Sequence, residues 1–336
     1  MVERVVHTHQ DGGSSPSPAR PFRVYQYLGP TERLDGPPFM AFNALRRLPG
    51  VEAYRYEARG DPRLFGRADF HVCVDWAEDA LGMGAFIEPR PLAYWMSDTH
   101  ISDGSRSFRF RKAERADRVF CSIWSDPDRL KERGIKATWL PYAAEPLLWK
   151  PMPEIKQVKH IGFVGHYNHY PARAEFLERM LSVFPNFLIR WRTYFEEAVM
   201  ALASCQVVLN HCQTDAVNQR VFEVLSMGAC LLTPETSDLA LLGLEDEVHL
   251  LTYRSTEEAI AKCRMALASD DLRQRLGQAG RAWVLAAHTY LHRACALLDR
   301  PIPDNLDELL KTPPGRGVEW GHDWTKPPAY IPVQPG

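Results

Sequence analysis

A chain of 336 residues, 45% hydrophobic and with a formal net charge of −2, is long enough for two α/β domains with separate cores. The balanced charge argues against a protein that tracks a nucleic-acid backbone, which normally carries a basic excess. No run approaches the roughly 20 apolar residues needed to cross a bilayer, and residues 1–20 lack the apolar core of a signal peptide, so a cytoplasmic protein is expected.

Residues 1–20, with Gly12-Gly-Ser-Ser-Pro-Ser-Pro18, read as a disordered leader. Phe22 to Leu28 alternates like a first strand and runs into a Gly29-Pro30 turn. Phe39 to Leu48 has helical spacing, Val51 to Tyr56 reads as a second strand and Phe70 to Val74 as a third. Strands alternating with helices predict a parallel, doubly wound sheet. A fourth strand, Pro91 to Met96, ends on Ser97-Asp98-Thr99-His100. Ligand crevices of open α/β sheets lie at the carboxyl ends of strands, so Asp98 and His100 are candidates for chemistry; the alternative is a turn capped by Asp98.

Arg106 to Arg115 is basic, with Phe108 and Phe110 interleaved. The simpler reading is a helix with a solvated cationic face and one phenylalanine turned inward. The other is contact with an anionic acceptor or, peripherally, a membrane surface. Asp117 to Ser122 reads as a fifth strand, Asp126 to Arg133 as a helix stopped by Gly134, and Ala137 to Pro141 as a sixth strand. Four prolines between Pro141 and Pro153 mark a domain boundary, dividing residues 21–150 from 151–299. Residues 300–336, rich in proline, are expected to form an extended tail.

The pattern restarts at Lys159 to Gly165, a strand ending in glycine, followed by a polar loop from His166 and a helix from Ala172 to Phe184. A glycine turn leading into a helix start outlines a phosphate cradle, because backbone N–H groups and the helix dipole favour an anion. Arg173, in the first helical turn, could meet a phosphate through two parallel hydrogen bonds, or could be solvated. Phe187 to Trp191 and Gln206 to Asn210 read as strands flanking a helix from Tyr194 to Ser204. Later come a strand, His249 to Tyr253, a helix from Thr256 to Ala268 capped by Thr256, and helices at Asp271–Ala287 and Thr289–Asp299. Seven scattered cysteines without a CxxC pair point to neither a disulfide framework nor a zinc site, and are expected to act as small hydrophobes.

The organising stretch is Asp215-Ala-Val-Asn-Gln-Arg-Val-Phe-Glu223, continuing to Gly228 and the apolar run Ala229-Cys-Leu-Leu232. It reads as a loop, a short helix with Asn218 as N-cap, a glycine stop and a buried strand. Glu223, on a largely apolar helix, needs donors to offset its desolvation. Arg220 could supply an ion pair, or a ligand diol such as a ribose could supply two hydroxyls.

This stretch, together with Tyr94-Trp-Met-Ser-Asp-Thr-His100, Ala116-Asp-Arg-Val-Phe120, Trp139-Leu-Pro141 and His288-Thr-Tyr-Leu-His-Arg293, resembles the retaining GT-B glycosyltransferases, group 1 and more closely the spore-maturation type. The resemblance covers residues 22–299. In that group a carboxylate and a glutamate stand with seven residues between them; here they are Asp215 and Glu223, with Asp where the wider superfamily mostly has Glu. The resemblance implies a GT-B fold, two Rossmann-like doubly wound domains facing a cleft. It also implies transfer of a hexosyl-type sugar from a nucleotide-diphosphate sugar, with retention, no metal and no other cofactor. The acceptor, whether small molecule, glycan or protein, is left open. By the same resemblance Glu223 would hold the ribose, Asn218 and Arg220 would lie near sugar and diphosphate, and Asp215 would contact the sugar. Arg173 with the Gly165 turn would neutralise the diphosphate, with His166 standing where the superfamily often has Arg or Lys. His100 and Asp98 would face the cleft from the first domain. Two rivals remain: a catalytically silent binding module of the same fold, and a nucleotide-sugar epimerase.

Overall fold

The structure, a computed structural model, describes residues 20–28, 36–56, 67–74, 90–97, 103–167, 170–212 and 214–313. The description leaves out Asp98 and His100, so the two candidates offered by the first domain lie outside it. Among the described residues, eleven strands form two sheets. The first contains β1 (Phe22–Tyr27), β2 (Val51–Tyr56), β3 (Phe70–Val74), β4 (Leu92–Met96), β5 (Arg118–Cys121) and β6 (Ala137–Trp139). Their order is β2-β1-β3-β4-β5-β6, and every pairing is parallel. The second contains β7 (Lys159–Val164), β8 (Phe187–Arg190), β9 (Cys205–Leu209), β10 (Leu231–Pro234) and β11 (Leu251–Tyr253). It too is wholly parallel, in the order β11-β10-β9-β7-β8.

The fully buried runs Phe70–Val74 and Leu92–Met96 are what strands covered on both faces require. Parallel pairing needs a crossover between strands, and helices supply it. In the first half these are α1 (Pro37–Leu45), α2 (Asp103–Arg115) and α3 (Asp126–Lys131). Phe110, on α2, packs half-buried against the core of the first sheet and carries the Arg133 guanidinium over its ring at 3.9 Å. In the second half they are α4 (Pro171–Val183), α5 (Phe195–Ala203), α6 (Gln219–Ser226), α7 (Ser237–Leu241), α8 (Thr256–Leu267) and α9 (Asp270–Ala287). The cap of α8 is Ser255, whose hydroxyl accepts from the Glu258 N–H, rather than Thr256. The chain continues from Ser255 in extended backbone, so Thr256 is already helical.

In each sheet the strand order reverses beside the first strand of its half: between β1 and β3, and between β7 and β9. Such reversals leave a crevice at the carboxyl edge, because the helices on either side lie on opposite faces. The two sheets are joined by more than the linker. Helix α10 (Tyr290–Leu298) packs on α1, and one buried cluster runs from Val24 and Trp95 through Tyr290 and Leu291 to Phe222 and Val208. The stretch expected to be extended beyond residue 300 instead opens with a short helix, α11 (Leu306–Leu309), and Leu310 is buried in that same cluster. The apolar spacing of Leu306, Leu309 and Leu310 lets one turn of helix bring all three against that cluster.

Candidate functional site

At the reversal of the second sheet, β7 ends in Gly165 and His166, and β9 ends in Asn210 and His211. Arg173 lies between them. One guanidinium nitrogen donates to the His166 carbonyl at 2.7 Å and another to the His211 carbonyl at 3.1 Å. The side chain is half-buried beneath Tyr170, its guanidinium carbon 5.0 Å from that ring centroid, and burial lowers its pKa. Its fork is therefore fixed by two carbonyl dipoles and, among the described residues, by no carboxylate, which leaves its charge uncompensated by them at the crevice. Gly165 has a close-approach role: a Cβ there would sit 3.2 Å from the Phe163 ring.

Beside it, the Trp191 indole donates to His166 Nδ1 at 2.7 Å and meets the imidazole edge-on. Arg192 lies over the Trp191 ring, 4.5 Å from its centroid. Arg192 and Phe195 both take left-handed backbone, with φ of 54° and 51°, a conformation costing roughly 1–2 kcal/mol for residues with a Cβ. That tight turn leads from β8 directly into α5. The sequence marks Trp191 only as a strand end, and nothing in the spacing announces its contact with His166.

The loop from Asp215 to Asn218 is pinned from beneath. Asp238, almost fully buried, accepts the Val217 N–H on both oxygens at 2.8 and 3.0 Å and the Thr236 hydroxyl at 2.7 Å. Desolvation is the largest influence on Asp238 and raises its pKa. Asn218 occupies the N-cap position of α6, but its side chain caps nothing. It exchanges two 3.2 Å hydrogen bonds with the Asn210 amide instead. Asn210 also donates to Thr233 at 3.0 Å, so the pair stitches the ends of β9 and β10 to the start of α6.

Asp215 is exposed. Its two oxygens accept the Ser237 N–H at 2.8 Å and the Ser237 hydroxyl at 2.6 Å. The same hydroxyl accepts the Trp124 indole N–H at 3.0 Å. Trp124 follows β5, so this chain of contacts crosses from the carboxyl edge of one sheet to that of the other. Sequence reasoning passed over Ser237 and Asp238, although Thr236-Ser-Asp238 after a buried strand is itself a helix-start signature.

Glu223, 5% exposed, forms the ion pair that its spacing allowed, with Arg220 Nη1 at 2.8 Å from its carboxylate. Gln219 donates to its other oxygen at 2.8 Å. Arg220 also lies over the Trp149 ring, 5.1 Å from the centroid. Among the described residues no group of three metal-ligating side chains occurs, and no helix is long and apolar enough to cross a membrane.

Comparison with known proteins matches the second half of the chain to a family and most of the chain to solved folds. A family model described as "Glycosyl transferase-like" matches residues 148–299. The fold is GT-B. Alr3699/HepE of Anabaena, solved in complex with UDP and glucose, aligns at a TM-score of 0.61 with 11% identity, covering 81% of this chain and 98% of that one. A sucrose-phosphate synthase from Thermosynechococcus elongatus aligns at 0.55 with 10% identity, over 83% of this chain and 98% of its own. A glycosyltransferase from Rickettsia africae aligns at 0.54 with 9% identity, over 87% and 99%. A search of curated proteins returned no match.

Proposed function

We propose that this chain is a glycosyltransferase that moves a hexosyl group from a nucleotide-diphosphate sugar to an acceptor, with retention and without a metal. The observation that carries the reading is Arg173, a guanidinium fixed by carbonyls at the strand-order reversal of the second sheet. The "Glycosyl transferase-like" match over residues 148–299 and a GT-B neighbour solved with UDP-glucose support it. Departure of a nucleoside diphosphate leaves an oxocarbenium-like sugar, so the step needs cationic groups on the leaving phosphates and a cleft from which water is excluded. Arg173 and the backbone N–H groups opening α4 serve the first need. The facing edges of the two sheets serve the second. In a front-face transfer the leaving phosphate takes the acceptor proton, and no side-chain nucleophile is required.

One pair of contacts favours a second reading, a silent module that binds a sugar nucleotide without turnover. Asp215 and Glu223 are each engaged by protein groups, Ser237 on one and Gln219 with Arg220 on the other. Thermal stabilisation by UDP, GDP, dTDP and ADP, each with and without magnesium, tests the nucleotide site. A ligand at ~100 times its Kd adds about 2.7 kcal/mol of stability, and a shift independent of magnesium is expected for one of the four. No response to any of them would remove the nucleotide reading. Slow release of free sugar from the matching donor then separates the enzyme from the silent module, which returns the donor intact.

A further inference from the structure

Trp124 links the carboxyl edges of the two sheets. It follows β5 in the first sheet, yet its indole N–H bonds to Ser237 at the carboxyl edge of the second, next to Asp215. Trp124, Ser237 and Asp215 are all exposed, the indole at 36%. Among the described residues no ring or cation stacks on Trp124. Trp191, by contrast, has both His166 and Arg192 against it. An indole anchored through its N–H, with no ring or cation on its face among the described residues, stands beside a carboxylate and a hydroxyl. An aromatic face suits the C–H surface of a pyranose, and a carboxylate suits its hydroxyl groups, because a carboxylate offers about four acceptor positions and Asp215 uses two.

We infer that Trp124 is the wall against which the donor's sugar lies, its indole face on the pyranose ring and Asp215 with Ser237 on the ring hydroxyls. This rests on the nucleotide-sugar reading above and adds to it a specificity-determining residue from the first domain. The competing role is a latch, in which the N–H bond to Ser237 merely holds the two domains together. The two roles differ in which part of the side chain matters. Phenylalanine keeps a face and loses the N–H; alanine loses both.

Calorimetric titration of wild type, Trp124→Phe and Trp124→Ala with UDP-glucose and with UDP, and in parallel with GDP-, dTDP- and ADP-glucose and their diphosphates, separates them. For the base that binds, Trp124→Ala is expected to weaken the sugar nucleotide by up to about tenfold and leave the diphosphate unchanged. Trp124→Phe is expected to stay within about threefold of wild type for both. Equal losses in Phe and Ala variants would make Trp124 a latch, and equal losses for the sugar nucleotide and the diphosphate would make its role structural; either overturns the inference while leaving the transferase reading in place. Wild type that binds none of these sugar nucleotides or diphosphates overturns both.

Discussion

Arg173 is anchored by carbonyl oxygens after β7 and β9, so a ligand phosphate meets a charge already oriented, without the entropy of immobilising a free arginine. Charge-assisted hydrogen bonds contribute about 1.5–3 kcal/mol. Arg173→Ala is therefore expected to lower affinity for a nucleoside diphosphate by roughly 10- to 150-fold, with the matching nucleoside nearly unaffected. Titration with both ligands checks this, and equal losses would place Arg173 outside the phosphate site. Glu223 carries a different burden. It is buried and paired with Arg220, so Glu223→Ala leaves a largely buried guanidinium without its carboxylate and is expected to cost about 1–3 kcal/mol in denaturant unfolding. Glu223→Gln, which can still bond Gln219, is expected to cost less. The sequence left open whether Glu223 met Arg220 or a ribose, because i to i+3 spacing permits the ion pair without requiring it. The geometry supplies the pair.

Among the elements, α6 is fixed from behind by α9. Gly228 ends α6 with a left-handed φ of 68°, a conformation that glycine takes without a steric penalty. Gly277 on α9 faces its carbonyl, and a Cβ at 277 would overlap the Gly228 oxygen. Helix propensity alone would make Gly277→Ala stabilising by about 1 kcal/mol; the overlap reverses the sign, and a loss of about 1–3 kcal/mol is expected, read as a lower urea midpoint. A gain in midpoint would show that α9 can move away freely. The strands and longer helices were legible because buried parallel strands are unbroken apolar runs and their caps and glycine stops recur. Helix α7, with five residues, is too short to display a period. Strand order was not legible either: it depends on which distant runs pair, and alternation of elements says nothing about whether β3 lies beside β1 or β2. The Asn218 position was read correctly as a helix start, yet its side chain is used by Asn210, eight residues back across a loop, a partner that local spacing does not reveal.

For the whole molecule, the junction between the two sheets is a braid of linker and returning chain. Ala144 pairs with Thr289 in a parallel bridge, and Arg47, just past the end of α1, pairs with Glu145 of the linker with both side chains buried. Arg293 donates to the carbonyls of Pro141, Tyr142 and Ala287 and to His288 Nδ1. His288 stacks on Trp283, the ring centroids 3.8 Å apart. Burial, then the neighbouring Arg293 and His292, lowers the His288 pKa to about 3, and burial with Arg293 lowers that of His292 to about 4. Both are below the ordinary value of 6.5, so between these values the unfolded chain binds protons that the folded one refuses. Stability from the neutral histidines is complete above about pH 6.5 and is lost as pH falls toward 4. The carboxylates Asp69 and Asp117, whose pKa values are lowered in the fold, add an acid loss at lower pH, so wild type alone does not isolate the junction. His288→Phe keeps an aromatic surface for Trp283 and removes the titrating group. Its thermal midpoint is expected to fall less steeply than that of wild type between pH 6.5 and 4, the two curves converging or crossing at the acid end. Parallel curves across that interval would show that His288 takes up its proton without disturbing the fold, and would move the acid sensitivity of the junction elsewhere.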